Sequence, residues 1–390
     1  MMELYFISNI LPMEVINRMK RPVAGAQFQV SLAEHISLEI DGKLEMLSIA
    51  RKGNKEAAKW CNNIVFDDRR YIPIKHICKP FIEEIFCGIQ VFFNVLQWAR
   101  STEKRKVLVL NAPNEVMTPL GMLKKLGYID IYSILIDSPY TNKDQSSMYL
   151  RWKKKFATKG LEKLNECSGV ILLNEHSADV MKLRVPHKTV LLGFEPFEIG
   201  YSADRYCGIR GRKKRLLYAG SLSTVNGIKE MLNALALLPE DEYVIDICGQ
   251  GSDDCLVERY AHKHSNCRFH GRVEQTELNR LYENADLALN FRLPDNDDND
   301  YSFPSKLISY LYSGSLVISS DFSSMPDAYR DFIFIVKDLR PETIANEIER
   351  IFMLEETTLT DIAARARSFV LENQSWDQVA KEIVSFIENN

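Results

Sequence analysis

An α/β protein of two parallel-sheet domains is what the sequence predicts, and three observations carry that reading. Short β-type apolar runs alternate with amphipathic helical stretches along the chain. The alternation is interrupted by a polar, basic segment with two glycines, 201–215, and then restarts. The chain has 390 residues, 46% hydrophobic and 26% charged, enough for two domains of ordinary size.

In the first half, strands are expected at 4–7, 107–110, 132–136, 169–173 and 189–192. Helical periodicity marks 25–36, 118–126 and 149–165. Past the segment 201–215, a strand at 215–218 runs into Ala219-Gly220-Ser221 and a helix at 227–238. A second strand at 243–247 runs into Cys248-Gly249-Gln250-Gly251 and a helix at 253–262. Residues 268–272 read as a short strand with a glycine turn, followed by a helix at 275–284 and a strand at 287–291. A helix at 304–312 and a strand at 316–319 come next, and helices fill the last fifty residues, among them 341–352 and 376–387. The expected organisation is a Rossmann-like domain over 1–200, a linker over 201–215 and a second Rossmann-like domain over 216–372. A C-terminal helix, 373–390, is expected to pack back on the first domain.

Composition removes several function classes. The most apolar stretch, 85–99, is broken by Gln90, Asn94 and Gln97 and falls short of a bilayer span. The N-terminus has no basic region before its apolar run, so it reads as a strand and not a secretion signal. Eight cysteines without a Cys-x-x-Cys pair read as reduced core thiols of a cytoplasmic protein. Residues 1–197 carry 28 basic and 21 acidic side chains, a net +7, and the remainder carries −11. Two domains with different partners follow, and nucleic-acid binding does not fit a chain acidic as a whole.

Beyond the carboxyl ends of parallel strands, turn glycines admit close approach and helix N-termini donate free N–H groups. Gly220-Ser221, Gly249 to Gly251 and Gly271-Arg272 all fall at such ends. A lone Gly-x-Gly does not specify a dinucleotide, and a turn role stands beside a nucleotide-sugar role. Pro304 suits a first helical turn and Gly314 its C-terminal stop. Ser305 and Lys306 would then offer N–H groups, a hydroxyl and an ammonium to a diphosphate, with Ser309 one turn further on. The plain alternative is a helix start with a solvated lysine. The acidic run Asp295 to Asp300 does not make a calcium loop: Asp300 stands where glycine is needed and Lys306 where glutamate is. No metal and no cofactor are expected.

The run Asn290-Phe291-Arg292, then Tyr301-Ser302-Phe303-Pro304-Ser305-Lys306-Leu307, then Ser309-Tyr310-Leu311 and Ser313-Gly314, resembles a signature of GT-B glycosyltransferases. These act in capsule, exopolysaccharide and O-antigen synthesis. Tyr218 to Leu222, Asn226-Gly227-Ile228, Phe269-His270-Gly271 and Ser324-Met325-Pro326 extend the resemblance, and Asp137-Ser138-Pro139-Tyr140 continues it loosely in the first half. The resemblance implies two Rossmann-like domains facing across a cleft, with a nucleoside-diphosphate sugar, a UDP-sugar, bound by the second. The first would take a glycan or lipid-linked acceptor, and the transfer would retain anomeric configuration without a metal. Lys306 and Arg292 would neutralise the leaving diphosphate, and Asp137 would serve the acceptor side. Gly220, Ser221, Gly249, Gly251, Gly271, Arg272, Asn290, Ser305, Leu307 and Ser309 would line the donor site.

Two departures stand out. Ser309 replaces the family's usual glutamate, and Leu192 precedes Gly193 where an acidic residue is usual. A catalytically degenerate scaffold is therefore a rival reading, and a sugar-nucleotide 2-epimerase, an enzyme class with the same fold, is another. Arg151, Trp152, Lys153, Lys154 and Lys155 form a basic, aromatic stretch on an expected helix. It suits either an anionic membrane surface, with the rings entering the interface, or a solvated helix whose rings face the core.

Overall fold

A computed structural model describes residues 2–11, 24–49, 71–75, 82–103, 105–136, 148–293 and 303–390. The chain divides into two compact units, Met1–Gly193 with Trp376–Asn390, and Phe194–Ser375.

The first unit holds a seven-stranded parallel sheet in the order β3-β2-β1-β4-β5-β6-β7. Its strands are β1 (Leu4–Ser8), β2 (Leu44–Ser48), β3 (Tyr71–Pro73), β4 (Lys106–Leu110), β5 (Asp130–Leu135), β6 (Gly169–Leu172) and β7 (His187–Thr189). All five positions of β1 are buried, as expected of a central strand covered on both faces. Its helices are α1 (Ala24–Glu39), α2 (Ile82–Ala99), α3 (Asn114–Lys125), α4 (Met148–Glu162) and α5 (His176–Met181). The chain's last helix, α12 (Trp376–Asn389), also belongs here, packed on α1. Trp376, Val379, Ile383 and Ile387 join Val30, Leu32 and Ile36 in one core. Gly193, where the chain leaves this unit, leaves no room for a side chain against the Trp376 ring. Helices α2, α3 and α4 follow β3, β4 and β5 in the chain. Among them α2 packs on α3 and α3 on α4.

The second unit repeats the plan with a six-stranded parallel sheet, β10-β9-β8-β11-β12-β13. Its strands are β8 (Lys214–Ala219), β9 (Tyr243–Cys248), β10 (Cys267–Gly271), β11 (Leu287–Asn290), β12 (Leu316–Ser320) and β13 (Ile333–Val336). Between and after them run α6 (Ile228–Leu235), α7 (Asp254–Lys263), α8 (Gln275–Asn284), α9 (Lys306–Tyr312), α10 (Pro341–Met353) and α11 (Glu356–Asn373). Counted from β8, the order is 3-2-1-4-5-6, and it reverses between β8 and β11. That is the topological switch point where ligands of such sheets bind.

Several expectations need revision. Strands β2, β3 and β13 have no counterpart in the sequence reading; none of them alternates buried with exposed positions. The strand expected at 189–192 lies at His187–Thr189. The segment 201–215, expected as a linker, lies within the second unit, and the chain passes between units at Gly193 and again at Ser375. Tyr206 is fully buried there, its hydroxyl within 3.0 Å of the Asp286 carbonyl and 2.9 Å of the Gly314 carbonyl. Arg205 donates to the carbonyls of Glu283 and Ala285, and Arg212 clasps Asp286 at 2.7 and 2.8 Å. The basic composition of this segment thus serves to hold the entry ends of β11 and β12. The core-thiol expectation holds for Cys87, Cys167, Cys248 and Cys267, but Cys207 and Cys255 are exposed, and Cys61 and Cys78 lie outside the described residues.

Candidate donor site at the switch point

Three chain segments meet at the carboxyl edge of the second sheet: the exit of β8 (Ala219-Gly220-Ser221), the exit of β11 (Asn290-Phe291-Arg292) and the start of α9. The first is held from two sides. The Tyr310 hydroxyl accepts the Ala219 N–H at 2.8 Å and faces the Ala219 carbonyl at 3.1 Å. The Tyr218 hydroxyl donates to the Ser221 carbonyl at 2.8 Å, and the Asn226 amide donates to the same oxygen at 2.9 Å. The turn is therefore rigid before any ligand arrives, with the Ser221 side chain exposed.

Lys306 opens α9 and packs on this turn. Its Nζ lies 4.0 Å from the centroid of the Tyr218 ring. A side chain at 220 would crowd it, since a Cβ there would stand 3.3 Å from Lys306 Cδ and 3.5 Å from Nζ. Gly220 is thus the space that Lys306 occupies. A solvated surface lysine, the plain alternative, is not what the structure shows. Among the described residues Lys306 has no carboxylate and no hydrogen-bond acceptor. Burial lowers its pKa to about 7, and the Arg292 charge lowers it further within that shift, while the Cys248 thiol opposes. Arg292 follows β11, its guanidinium carbon 5.7 Å from the Phe322 ring centroid and its backbone pinned by the Ser320 hydroxyl at 2.7 and 2.9 Å. At the switch point Lys306, without an anionic partner among the described residues, thus lies within the field of the Arg292 charge. Such a site is suited to a diphosphate.

The remaining donor-site expectations fall out unevenly. Gly249 and Gly251 pack the exits of β8 and β9 together: a Cβ at Gly249 would overlap the Gly220 carbonyl, and one at Gly251 the Leu222 carbonyl. Their N–H groups are spent on the Gly271 carbonyl at 2.8 Å and the Asp254 carboxylate at 2.7 Å. Gly271 takes a left-handed conformation, φ 60°, and Arg272 after it is exposed, with no ion pair among the described residues. Asn290 is fully buried; its amide donates to Ser319 at 2.8 Å while its carbonyl oxygen has no hydrogen-bond partner among the described residues. Leu307 is buried core. Ser305 is exposed, already helical at φ −54°. Ser309 is partly buried and hydrogen-bonded to Tyr282, whose phenol burial pushes up.

Tyr218 and Tyr310 set the geometry of the site, yet sequence reasoning noted them only as members of a pattern. An aromatic beside a glycine turn is the signal that points to them. Asp137 and the acidic run 295–300 lie outside the described residues. In the first unit Arg151 and Lys155 are exposed and Lys154 is partly buried, while the side chain of Lys153 is outside the described set. Trp152 is half-buried and stacks on Phe156 at 4.8 Å.

The chain has the GT-B fold, two Rossmann-like units. Residues 205–369 match the family of glycosyl transferases group 1. Among solved structures, the whole chain is similar to three that it spans almost end to end. The Anabaena protein HepE, in complex with UDP and glucose, shares 12% identity at a TM-score of 0.65, with 100% of each chain covered. Sucrose-phosphate synthase from Thermosynechococcus elongatus shares 13% at 0.68, covering 100% of this chain and 99% of that one. The lipopolysaccharide outer core galactosyltransferase WaaB shares 16% at 0.65, again covering 100% and 99%. No curated protein sequence matches.

Proposed function

We propose that the protein is a glycosyltransferase. In this reading it moves a sugar from a nucleoside-diphosphate sugar, a UDP-sugar, to a glycan or lipid-linked acceptor in polysaccharide biosynthesis, on the cytoplasmic side of a membrane. The observation that carries it is Lys306, seated on the Tyr218 ring at the switch point within the field of the Arg292 charge and with no carboxylate partner among the described residues. As the bond from the sugar to the leaving phosphate breaks, negative charge grows on the diphosphate, and fixed cations lower the barrier in proportion. The family match over 205–369 and the UDP-bound structure of similar fold support a UDP-sugar as donor. Retention of configuration and independence of metal are part of the proposal, and the acceptor falls to the first unit. A second reading, a scaffold that has lost catalysis, draws support from Ser309, whose hydroxyl is engaged by Tyr282 where a carboxylate is usual.

A panel of sugar nucleotides, assayed with and without extracts holding glycan and lipid-linked acceptors, separates the readings. Acceptor-dependent release of UDP that falls about 10- to 1000-fold in Lys306→Ala supports transfer, since one preorganised charge is worth about 1.4–4 kcal/mol. Donor isomerised without an acceptor supports an epimerase instead. No binding of any sugar nucleotide leaves the scaffold.

A further inference from the structure

The first unit carries an apolar surface that the donor site does not use. Helix α2 buries one stripe, Cys87, Val91, Val95 and Trp98, against the sheet. Ile82, Ile85, Ile89 and Phe93, at spacings of three and four, form a second stripe on the other side. These four side chains are between 49% and 66% exposed. The neighbouring helix α3 adds exposed Met122 and Leu126. Beyond it, α4 exposes Arg151, Lys155 and Lys159, four residues apart and so on one stripe. From Met148 to Leu161 this helix has five cations and no carboxylate. Four exposed large apolar side chains in one row are uncommon on a monomer and mark a contact surface.

We infer that the face formed by α2, α3 and α4 docks on an anionic lipid surface, with the α2 stripe as the inserted element and the α4 stripe meeting lipid phosphates. Charge decides the occupant. The surrounding chain, 1–197, is net +7, so a second copy of this face would bring like charge against like, whereas an anionic bilayer supplies the complement. The inserted element differs from the one that the sequence suggests. Trp152 and Phe156 are half-buried and satisfy each other by stacking, so they are not the side chains offered outward. The inference extends the membrane attachment in the proposed function but stands apart from glycosyl transfer, because vesicle binding is read without sugar nucleotide.

The test is co-sedimentation of the full chain with vesicles of phosphatidylcholine alone and with about one third phosphatidylglycerol. Wild type is expected to bind the anionic vesicles and to lose binding as salt rises. Ile85→Ser, Ile89→Ser and Phe93→Ser together should lower partition at least about 10-fold. Arg151→Gln, Lys155→Gln and Lys159→Gln together should lower it about 100-fold, at about 5-fold per charge. Because all six side chains are solvent-facing, the melting temperature and UDP affinity of both variants should match wild type, which separates lost docking from misfolding. Wild type that ignores anionic vesicles overturns the inference, as does undiminished binding by the α2 variant. A wild-type dimer that the α2 variant turns to monomer, with no lipid binding, assigns the face to a second copy and overturns it too.

Discussion

Lys306 is held near pKa 7 by burial and by Arg292, so its charge is lost just above neutral pH unless a diphosphate restores it. If the bound diphosphate returns the ammonium to its ordinary 10.5, the affinity for UDP is set by the protonated fraction of the free protein. That fraction is about one half at pH 7 and about one hundredth at pH 9, so affinity should fall about 50-fold across this interval. Binding should also draw in protons, about 0.9 per UDP at pH 8, read by calorimetry in two buffers of different ionisation enthalpy. Lys306→Met should bind weakly at pH 7 and lose most of the pH slope. The sign for folding is the reverse. The unfolded chain binds more protons between pH 7 and 10.5, so this lysine costs stability at low pH and the cost fades as pH rises through that window. Removing it should therefore leave the melting temperature at pH 6 unchanged or raised. UDP affinity that is flat from pH 7 to 9, or a slope that survives in Lys306→Met, would refute the assignment of Lys306 to the diphosphate.

Two further outcomes test the frame around that lysine. Gly249→Ala places a methyl group against the Gly220 carbonyl at a φ of 145°, and should cost roughly 3 kcal/mol or more in chemical denaturation. Ser309→Glu should tighten UDP binding, measured by calorimetry, if the position still accepts a carboxylate; loss of binding would show that the Ser309–Tyr282 pair has replaced it.

The alternation of strand and helix was legible along most of the chain because period-2 and period-3.6 patterns are local properties. The helix start at Pro304 to Lys306 and the glycine turns at 220, 249 and 251 were legible for the same reason: proline and glycine restrict the backbone at their own positions. The short strands β2, β3 and β13 were not, because none of them alternates buried with exposed positions for a period-2 reading to find.

What only the tertiary structure decided concerns environment. A sequence places Lys306 in a first turn; its seat on Tyr218 and its repulsion from Arg292 depend on residues brought together from positions 218 to 306. The segment 201–215 reads as a basic linker by composition, yet Tyr206 and Arg212 are drawn to Asp286, more than seventy residues away, since buried carbonyls and a carboxylate there need donors. Helix α12 carries its apolar period openly, but the choice of α1 as its partner comes from a core that only the folded first unit assembles. Propensity and pattern act over a few residues and so are written in the chain; desolvation and charge act through space, and space is set by the fold.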